Sequence, residues 1–155
     1  GHSSLSTMHA DSVDSLIRRL QTPPISLSPT LVNTLDCVAI MTHAIVKGQG
    51  TRKLREVVEI ININNDGSAL INTPFKWAPA QDSFLWKKQF KVFEKISAKT
   101  GISIDRLNKE LTMRAALLYE LYKKKIFGFY DVGKIINEYY KNPQFVLKKY
   151  GIRSI

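Results

Sequence analysis

The spacing of apolar residues near the start of the chain predicts an amphipathic helix. The residues that would share one face, three or four positions apart, are Val13, Leu16, Ile17 and Leu20. Asp11 stands just before them as a candidate N-cap, Arg18 and Arg19 occupy the last turn, and Pro23 ends the helix. Residues 3–10 would therefore form a loop or strand that leads to the N-terminus of a capped helix.

Strand patterns dominate the next part of the chain. After a short helix capped by Ser28, residues 36–47 are nearly all apolar, which is typical of a strand buried on both faces of a parallel sheet. Residues 51–63 are rich in Val and Ile and predict a second strand. A turn at 65–67, which contains an Asp-Gly pair, and a returning strand at 68–73 would complete an antiparallel hairpin.

From residue 74 onward the pattern predicts a short Pro-containing linker, no further strand and four helices. The expected caps are Asp82 or Ser83, Ser103, Asp131 and Asn142. The residues expected to face inward are Trp86, Phe90, Phe93, Ile96, Leu107, Leu111, Ala115, Leu118, Tyr122, Val132, Ile135, Ile136 and Tyr139. The aromatic stripes on these helices would then be core packing rather than part of a cofactor site.

Composition narrows the class of protein. With 155 residues and 44% hydrophobic content, the chain is long and apolar enough for one packed domain or two small ones. It has no apolar run near the ~20 residues that span a bilayer and no recognisable leader, and since it does not begin with Met we expect a piece of a longer protein. Cys37 is the one cysteine, which fits a reducing compartment.

A histidine just before a capped helix is usually a polar loop residue, but the residues around His9 form a recognisable motif. Residues 1–24 resemble the "His box" region of the secretion and pilus motor ATPases, the type II/type IV secretion superfamily of P-loop hexamers. The likeness is to their archaeal branch, which includes the archaellum motor. In that family a T-x-H-A segment precedes a helix that ends in R-L; here Thr7, His9 and Ala10 match the first and Arg19 begins the second.

The resemblance covers essentially the whole chain. Residues 52–60 resemble an arginine-rich strand of that family, and residues 114–118 and 138–147 resemble its helical tail. It implies an α/β fold, in which residues 1–75 are the C-terminal portion of a RecA-like P-loop ATPase domain (parallel strand plus antiparallel hairpin) and residues 76–155 are an all-helical C-terminal domain.

The resemblance also implies a set of functional residues. His9 would be the catalytic residue that reaches the γ-phosphate, and four others would lie near the phosphates: Thr7, Arg19, Arg52 and Arg55. Two interpretations of the arginines in the second strand stay open. They are either the solvent side of a hairpin, paired loosely with Glu56 and Glu59, or one of them donates to phosphate oxygens. No metal-ligating residues are expected.

Several parts of a working motor are missing from the sequence. It has no G-x-x-x-x-G-K-S/T loop and no acidic strand end before the His box, so we expect ATP and Mg²⁺ to be cofactors of the full-length protein only. The chain alone should not hydrolyse ATP. The implied partners are the missing N-terminal half, further copies in a homo-hexamer and a polytopic membrane platform protein, at the inner, cytoplasmic face of the membrane.

The formal net charge of +10 favours anionic partners without choosing among them. Lys123, Lys124 and Lys125 are hypothesised to face the membrane or acidic loops of a partner. Two other functions remain as alternatives: a basic nucleic-acid-binding module, although no recognised motif supports nucleic acid as a partner, and a non-catalytic helical interaction domain.

Overall fold

The computed structural model describes residues 3–46, 48–64 and 66–153, and it divides into two compact units, Gly1–Lys95 and Ile96–Ile155. In chain order the elements are α1 (Val13–Gln21), α2 (Pro29–Val32), β1 (Cys37–Val46), β2 (Gln49–Ile63), β3 (Ala69–Ala78), β4 (Ser83–Trp86), α3 (Lys91–Thr100), α4 (Ile104–Lys123), α5 (Phe129–Lys141) and α6 (Pro143–Lys149). The division falls within α3, and the sequence-based boundary after residue 75 falls within β3.

The four strands form one antiparallel sheet in the order β1-β2-β3-β4. The pairing of β2 with β3 is the expected hairpin, but β1 also pairs antiparallel with β2, from Cys37 opposite Glu59 to Val46 opposite Gln49. The prediction of a parallel strand from a RecA-like P-loop domain is therefore wrong. Only residues 47 and 48 separate β1 from β2, and such a short connection permits a hairpin, whereas parallel strands need a crossover of a dozen or more residues.

Burial of β1 also differs from the prediction. Ile40 is buried, but Met41 and Ile45 are 61% and 81% exposed, because successive side chains of a strand point to opposite faces of the sheet and only one face of β1 is covered. Helices α1 and α2 pack on the sheet face that carries Ile40 and Val58, where the core consists of Val13, Ile17, Val32, Ile40, Val58, Ile60 and Ile63. The apolar residues on the opposite face of β1 are left at the surface of the described chain.

The segment predicted as a linker and a helix start is instead strand. β3 continues through Pro74 to Ala78, and the register of β3 against β2 gains an extra residue between Asn72 and Phe75. Proline is tolerated at such a bulge because its missing N–H is not needed there. Asp82 lies in the β3–β4 turn with φ +46°, where its carboxylate accepts a 2.9 Å hydrogen bond from the Trp77 indole, so it does not cap a helix.

The second unit, Ile96–Ile155, which we call the helical unit, has the predicted helices. Ile135 and Tyr139 on α5 are buried as predicted, but α4 turns a different face inward. Ser103 and Asn142 cap α4 and α6 as predicted, each accepting a backbone N–H three residues on, whereas α5 begins after Gly128 rather than at Asp131. On α4, Leu118 and Tyr122 are 56% and 65% exposed. The buried residues of the unit are Leu117, Leu121, Ile135, Tyr139, Val146 and Leu147.

Candidate functional site

The segment that precedes α1 is open to solvent. Residues 3–9 have no helix or strand conformation, and both Thr7 and His9 are exposed. Leu5, in the middle of this stretch, is fully exposed. The imidazole is therefore accessible to a ligand or to another protein segment.

The start of α1 is fixed by Ser12 rather than by Asp11. The Ser12 hydroxyl accepts a 3.2 Å hydrogen bond from the Ser15 N–H, which makes it the N-cap, and Asp14 occupies the first turn. Asp11 is exposed, and hydrogen bonds from Ser15, its own backbone and Ser12 lower the pKa of its carboxyl. The inward face is as predicted, with Val13 and Ile17 buried.

Arg55 connects this segment to the sheet. It lies at the β1–β2 register shift, where Ile40 pairs with Glu56 and Met41 pairs with Leu54, and its Nη2 donates a 2.7 Å hydrogen bond to the carbonyl of Asp11. The same Nη2 is 2.9 Å from the Glu56 carboxylate. A guanidinium has five N–H donors, so the two contacts at Nη2 leave donors for a further acceptor.

The other predicted phosphate-proximal arginines are not brought to this place. Arg52 is exposed and lies opposite His43 in the β1–β2 register. Arg19 is exposed in the last turn of α1, about 9 Å along the helix axis from Val13. The Arg55 guanidinium therefore contacts Asp11, which comes two residues after His9 in the sequence. Arg19 lies at the opposite end of α1.

Glu59, one of the two carboxylates that were expected to pair loosely with the arginines on a solvent-facing hairpin, is instead buried on the same strand as Arg55. Glu59 is 2% exposed and accepts hydrogen bonds from the Asn72 amide at 2.7 Å and from the backbone N–H groups of Lys91 and Val92 at 2.8 and 3.0 Å. It takes the role of a capping side chain for α3, which begins at Lys91. Its partners could not be read from the sequence because they come from β3 and α3.

A metal-ligating cluster and a membrane-spanning helix are both absent from the part of the chain that the structure describes. No group of three or more His, Cys, Asp or Glu side chains there could hold a metal ion. Among the same residues, no helix is both long and apolar enough to cross a membrane. Partial burial, followed by the charges of Glu59 and Asp36, raises the pKa of the Cys37 thiol, so at neutral pH it is mostly the unreactive protonated form.

The prediction that the aromatic stripes are core packing is wrong for most of the helical unit. Tyr139 is buried, but the rings that are more than half exposed are Tyr119, Tyr122, Phe127, Phe129, Tyr130, Tyr140 and Phe145. The dense run of rings between residues 119 and 145 is the sequence signal for an exposed aromatic surface. Phe129 and Tyr130, at 84% and 88% exposure, are the most exposed of the set.

The comparisons with known proteins give relatives but no family. No family model matches the chain. Three uncharacterized proteins of Methanocaldococcus jannaschii are similar to it. MJ1287 is 30% identical over 140 residues, which are 90% of this chain and 52% of that protein. MJ0900 is 28% identical over 146 residues (91% of this chain and 26% of that protein), and MJ0781 is 24% identical over 143 residues (92% of this chain and 20% of that protein). The chain spans about half the length of the first and a smaller part of the other two.

Proposed function

We propose that this chain is the C-terminal part of an archaeal motor ATPase of the type II/type IV secretion superfamily, a hexamer that powers secretion or the assembly of a pilus or archaellum. His9 would contact the γ-phosphate of ATP held by another part of the longer protein. The observation that carries the proposal is the hydrogen bond from Arg55 to Asp11, because it fixes an arginine beside the exposed segment that bears the imidazole.

The donors near His9 suit one side of a polyphosphate. An imidazole N–H and a guanidinium both donate to anionic oxygens, and Arg55, although it is paired with Glu56, keeps N–H donors beyond the two contacts at its Nη2. The sequence has no G-x-x-x-x-G-K-S/T loop, so the phosphate cradle and the Mg²⁺ site would be supplied by another part of the longer protein. ATP, when bound, supplies the phosphoryl group; this chain contributes donors that hold it.

The relatives support a modular arrangement. The chain matches three archaeal proteins over 52%, 26% and 20% of their lengths, so in each of them a similar segment is joined to further sequence. We propose that the partners are that remaining part, further copies of the same protein in a homo-hexamer, and a polytopic platform protein at the cytoplasmic face of the membrane.

The proposal is tested by reconstitution. The half of MJ1287 outside the aligned region is co-expressed with this chain, the complex is purified, and Mg²⁺-dependent ATP hydrolysis is measured. His9→Gln should lower kcat by about 100-fold or more, as expected for a lost catalytic donor. His43→Gln, a histidine in β1, is the matched control and should leave kcat within about twofold of the parent complex. Equal rates for the two variants would contradict the proposal.

A further inference from the structure

The end of α4 and the turn into α5 form an exposed surface of aromatic rings and lysines, which we call the 119–130 surface. Its aromatic members are Tyr119, Tyr122, Phe127, Phe129 and Tyr130, and its lysines are Lys123, Lys124 and Lys125. Apolar groups gathered at the surface in this way mark an interaction site rather than the ordinary scatter of exposed side chains.

Ring contacts show that the α4 side of this surface is continuous. Tyr119 and Tyr122 stack with centroids 6.3 Å apart, and Tyr122 meets Phe127 edge-on at 6.1 Å. Lys123 Nζ lies 5.2 Å from the Tyr119 centroid. Phe129 and Tyr130 form a second ring pair, with centroids 5.6 Å apart, immediately after the turn.

The charge of this surface favours an anionic partner. Between residues 119 and 134 there are four lysines and two carboxylates, and one of those carboxylates, Glu120, is paired with Lys123. Lys124 and Lys125 are exposed, and a shallow depression of about 380 Å³ lies beside the turn. Its charged lining residues are three lysines, Lys125, Lys134 and Lys149, and two carboxylates, Asp131 and Glu138, so its formal charge is positive. Phosphate groups of several kinds would be attracted to such a place.

The shape of the surface distinguishes a membrane from other anionic partners. Phe129 and Tyr130 are 84% and 88% exposed, so they project from the helix start rather than line a groove. A protein partner would need a cavity that matches these rings, and a nucleic acid would need a groove that follows its backbone. The headgroup region of a bilayer accepts projecting aromatic rings without a matching cavity, and tyrosine is suited to it because its ring is apolar and its hydroxyl is polar.

We infer that the 119–130 surface binds the surface of an anionic lipid bilayer, with the rings of Phe127, Phe129 and Tyr130 in the headgroup region and the lysines against lipid phosphates. The proposed function places the protein at the membrane, and this inference adds a direct contact with lipid. The lipid contact uses only residues of the helical unit, and it requires neither bound nucleotide nor the motor assignment.

The test is co-sedimentation of the full chain, without nucleotide, with phosphatidylcholine vesicles that contain either no anionic lipid or about 30% phosphatidylglycerol. We expect binding to the anionic vesicles only, and weaker binding as salt rises from about 50 mM to about 500 mM. Replacing Lys123, Lys124 and Lys125 together by Gln should reduce the affinity about 100-fold, since each lysine near such a surface contributes about fivefold.

Two control sets separate this surface from general charge and general apolarity. Lys87, Lys99 and Lys109 are exposed lysines elsewhere in the chain, and replacing all three by Gln removes the same charge but should leave affinity within about threefold. The double variant Phe129→Ser, Tyr130→Ser should lower affinity about tenfold or more, whereas Phe84→Ser, an exposed ring on β4, should not. Unfolding curves in urea confirm that each variant is folded before its binding is compared.

Three results would overturn the inference. The first is no binding of the parent chain to the anionic vesicles. The second is equal loss of binding in the two triple-lysine variants, which would indicate net charge alone. The third is binding of an oligothymidylate or of an acidic peptide that depends on the 119–130 surface while vesicle binding does not. Failure of the His9 experiment with success here would reject the motor proposal and keep the lipid contact.

Discussion

The carboxylate of Glu59, buried in β2, accepts a 2.8 Å hydrogen bond from the backbone N–H of Lys91, the first residue of α3. A second bond comes from Val92 and a third from the side chain of Asn72. One carboxylate thereby satisfies two of the four N–H groups that a helix leaves unbonded at its start. The same strand carries Arg55 four residues earlier, so β2 holds both the segment before α1 and the start of α3.

Removing that carboxylate should destabilise the first unit. We expect Glu59→Ala to lower the free energy of unfolding by about 3 kcal/mol, because three part-buried donors lose their acceptor and a helix cap is lost. Glu59→Gln, which keeps one acceptor oxygen, should cost about 1–2 kcal/mol. Urea unfolding measures both. Glu94→Ala, which removes an exposed carboxylate from the first turn of α3, is the control, and a loss as large as that of Glu59→Ala would contradict this account.

The hydrogen bond from Arg55 should restrict the motion of the exposed segment. We expect Arg55→Gln to increase the ps–ns mobility of residues 7–11, measured by ¹⁵N relaxation, and to speed cleavage of that segment by protease. The stability cost should be about 1 kcal/mol, since the guanidinium is partly exposed. Arg52→Gln, on the same strand opposite His43, should change neither measurement. Equal effects of the two substitutions would show that the Asp11 contact does not hold the segment.

The stability of the helical unit should fall at alkaline pH through Tyr139. Burial, and then the hydrogen bond that its hydroxyl donates to Glu110 at 3.0 Å, raise the pKa of Tyr139 above its usual value. This contribution to stability is fully present below the unfolded-state pKa of about 10 and is lost as pH rises through the higher folded-state pKa.

Tyr139→Phe should therefore cost about 1 kcal/mol at neutral pH and show a shallower loss of stability than the parent above about pH 10. Urea midpoints measured across that range give the comparison. Tyr130→Phe, at a ring that is 88% exposed, should leave the profile unchanged. If Tyr139→Phe follows the parent curve in parallel at every pH, the raised pKa does not contribute to the stability of the fold.

The purified chain should show no Mg²⁺-dependent ATP hydrolysis. It carries no phosphate-binding glycine loop, and its described residues include no cluster of metal-ligating side chains. A sensitive phosphate-release assay should give the same background for the parent chain and for His9→Ala. Turnover that survives His9→Ala would mean that the chain has an active site of its own elsewhere.

Local signals in the sequence predicted many of the elements correctly. Ser28, Ser103 and Asn142 each cap the helix that was predicted to follow, because capping depends on residues only three positions apart. The long strand β2 and the turn after it were also predicted, although position 65 of that turn lies outside the described residues.

The predictions that were wrong or left open concern contacts between residues far apart in the sequence. The apolar run at 36–47 predicted a strand but not its neighbours, and a short connection to β2 decided the pairing. Pro74 was assigned to a linker because no pattern in the neighbouring residues predicts the β3 bulge in which it lies. In the site, the sequence left Arg52 and Arg55 open, and the contact that distinguishes them joins Arg55 to Asp11, 44 positions earlier in the chain. The partners of Glu59 lie 13 to 33 residues away, beyond any pattern in the sequence.

The motor proposal is tested most directly by the position of His9 relative to bound nucleotide. In the complex reconstituted with the remaining half of MJ1287, Mn²⁺ replaces Mg²⁺ in the presence of a non-hydrolysable ATP analogue, and the imidazole signals of the chain are followed by NMR. We expect the paramagnetic ion to broaden the His9 signal and to leave the His43 signal sharp. A His9 signal that stays sharp while nucleotide is bound would contradict the proposal.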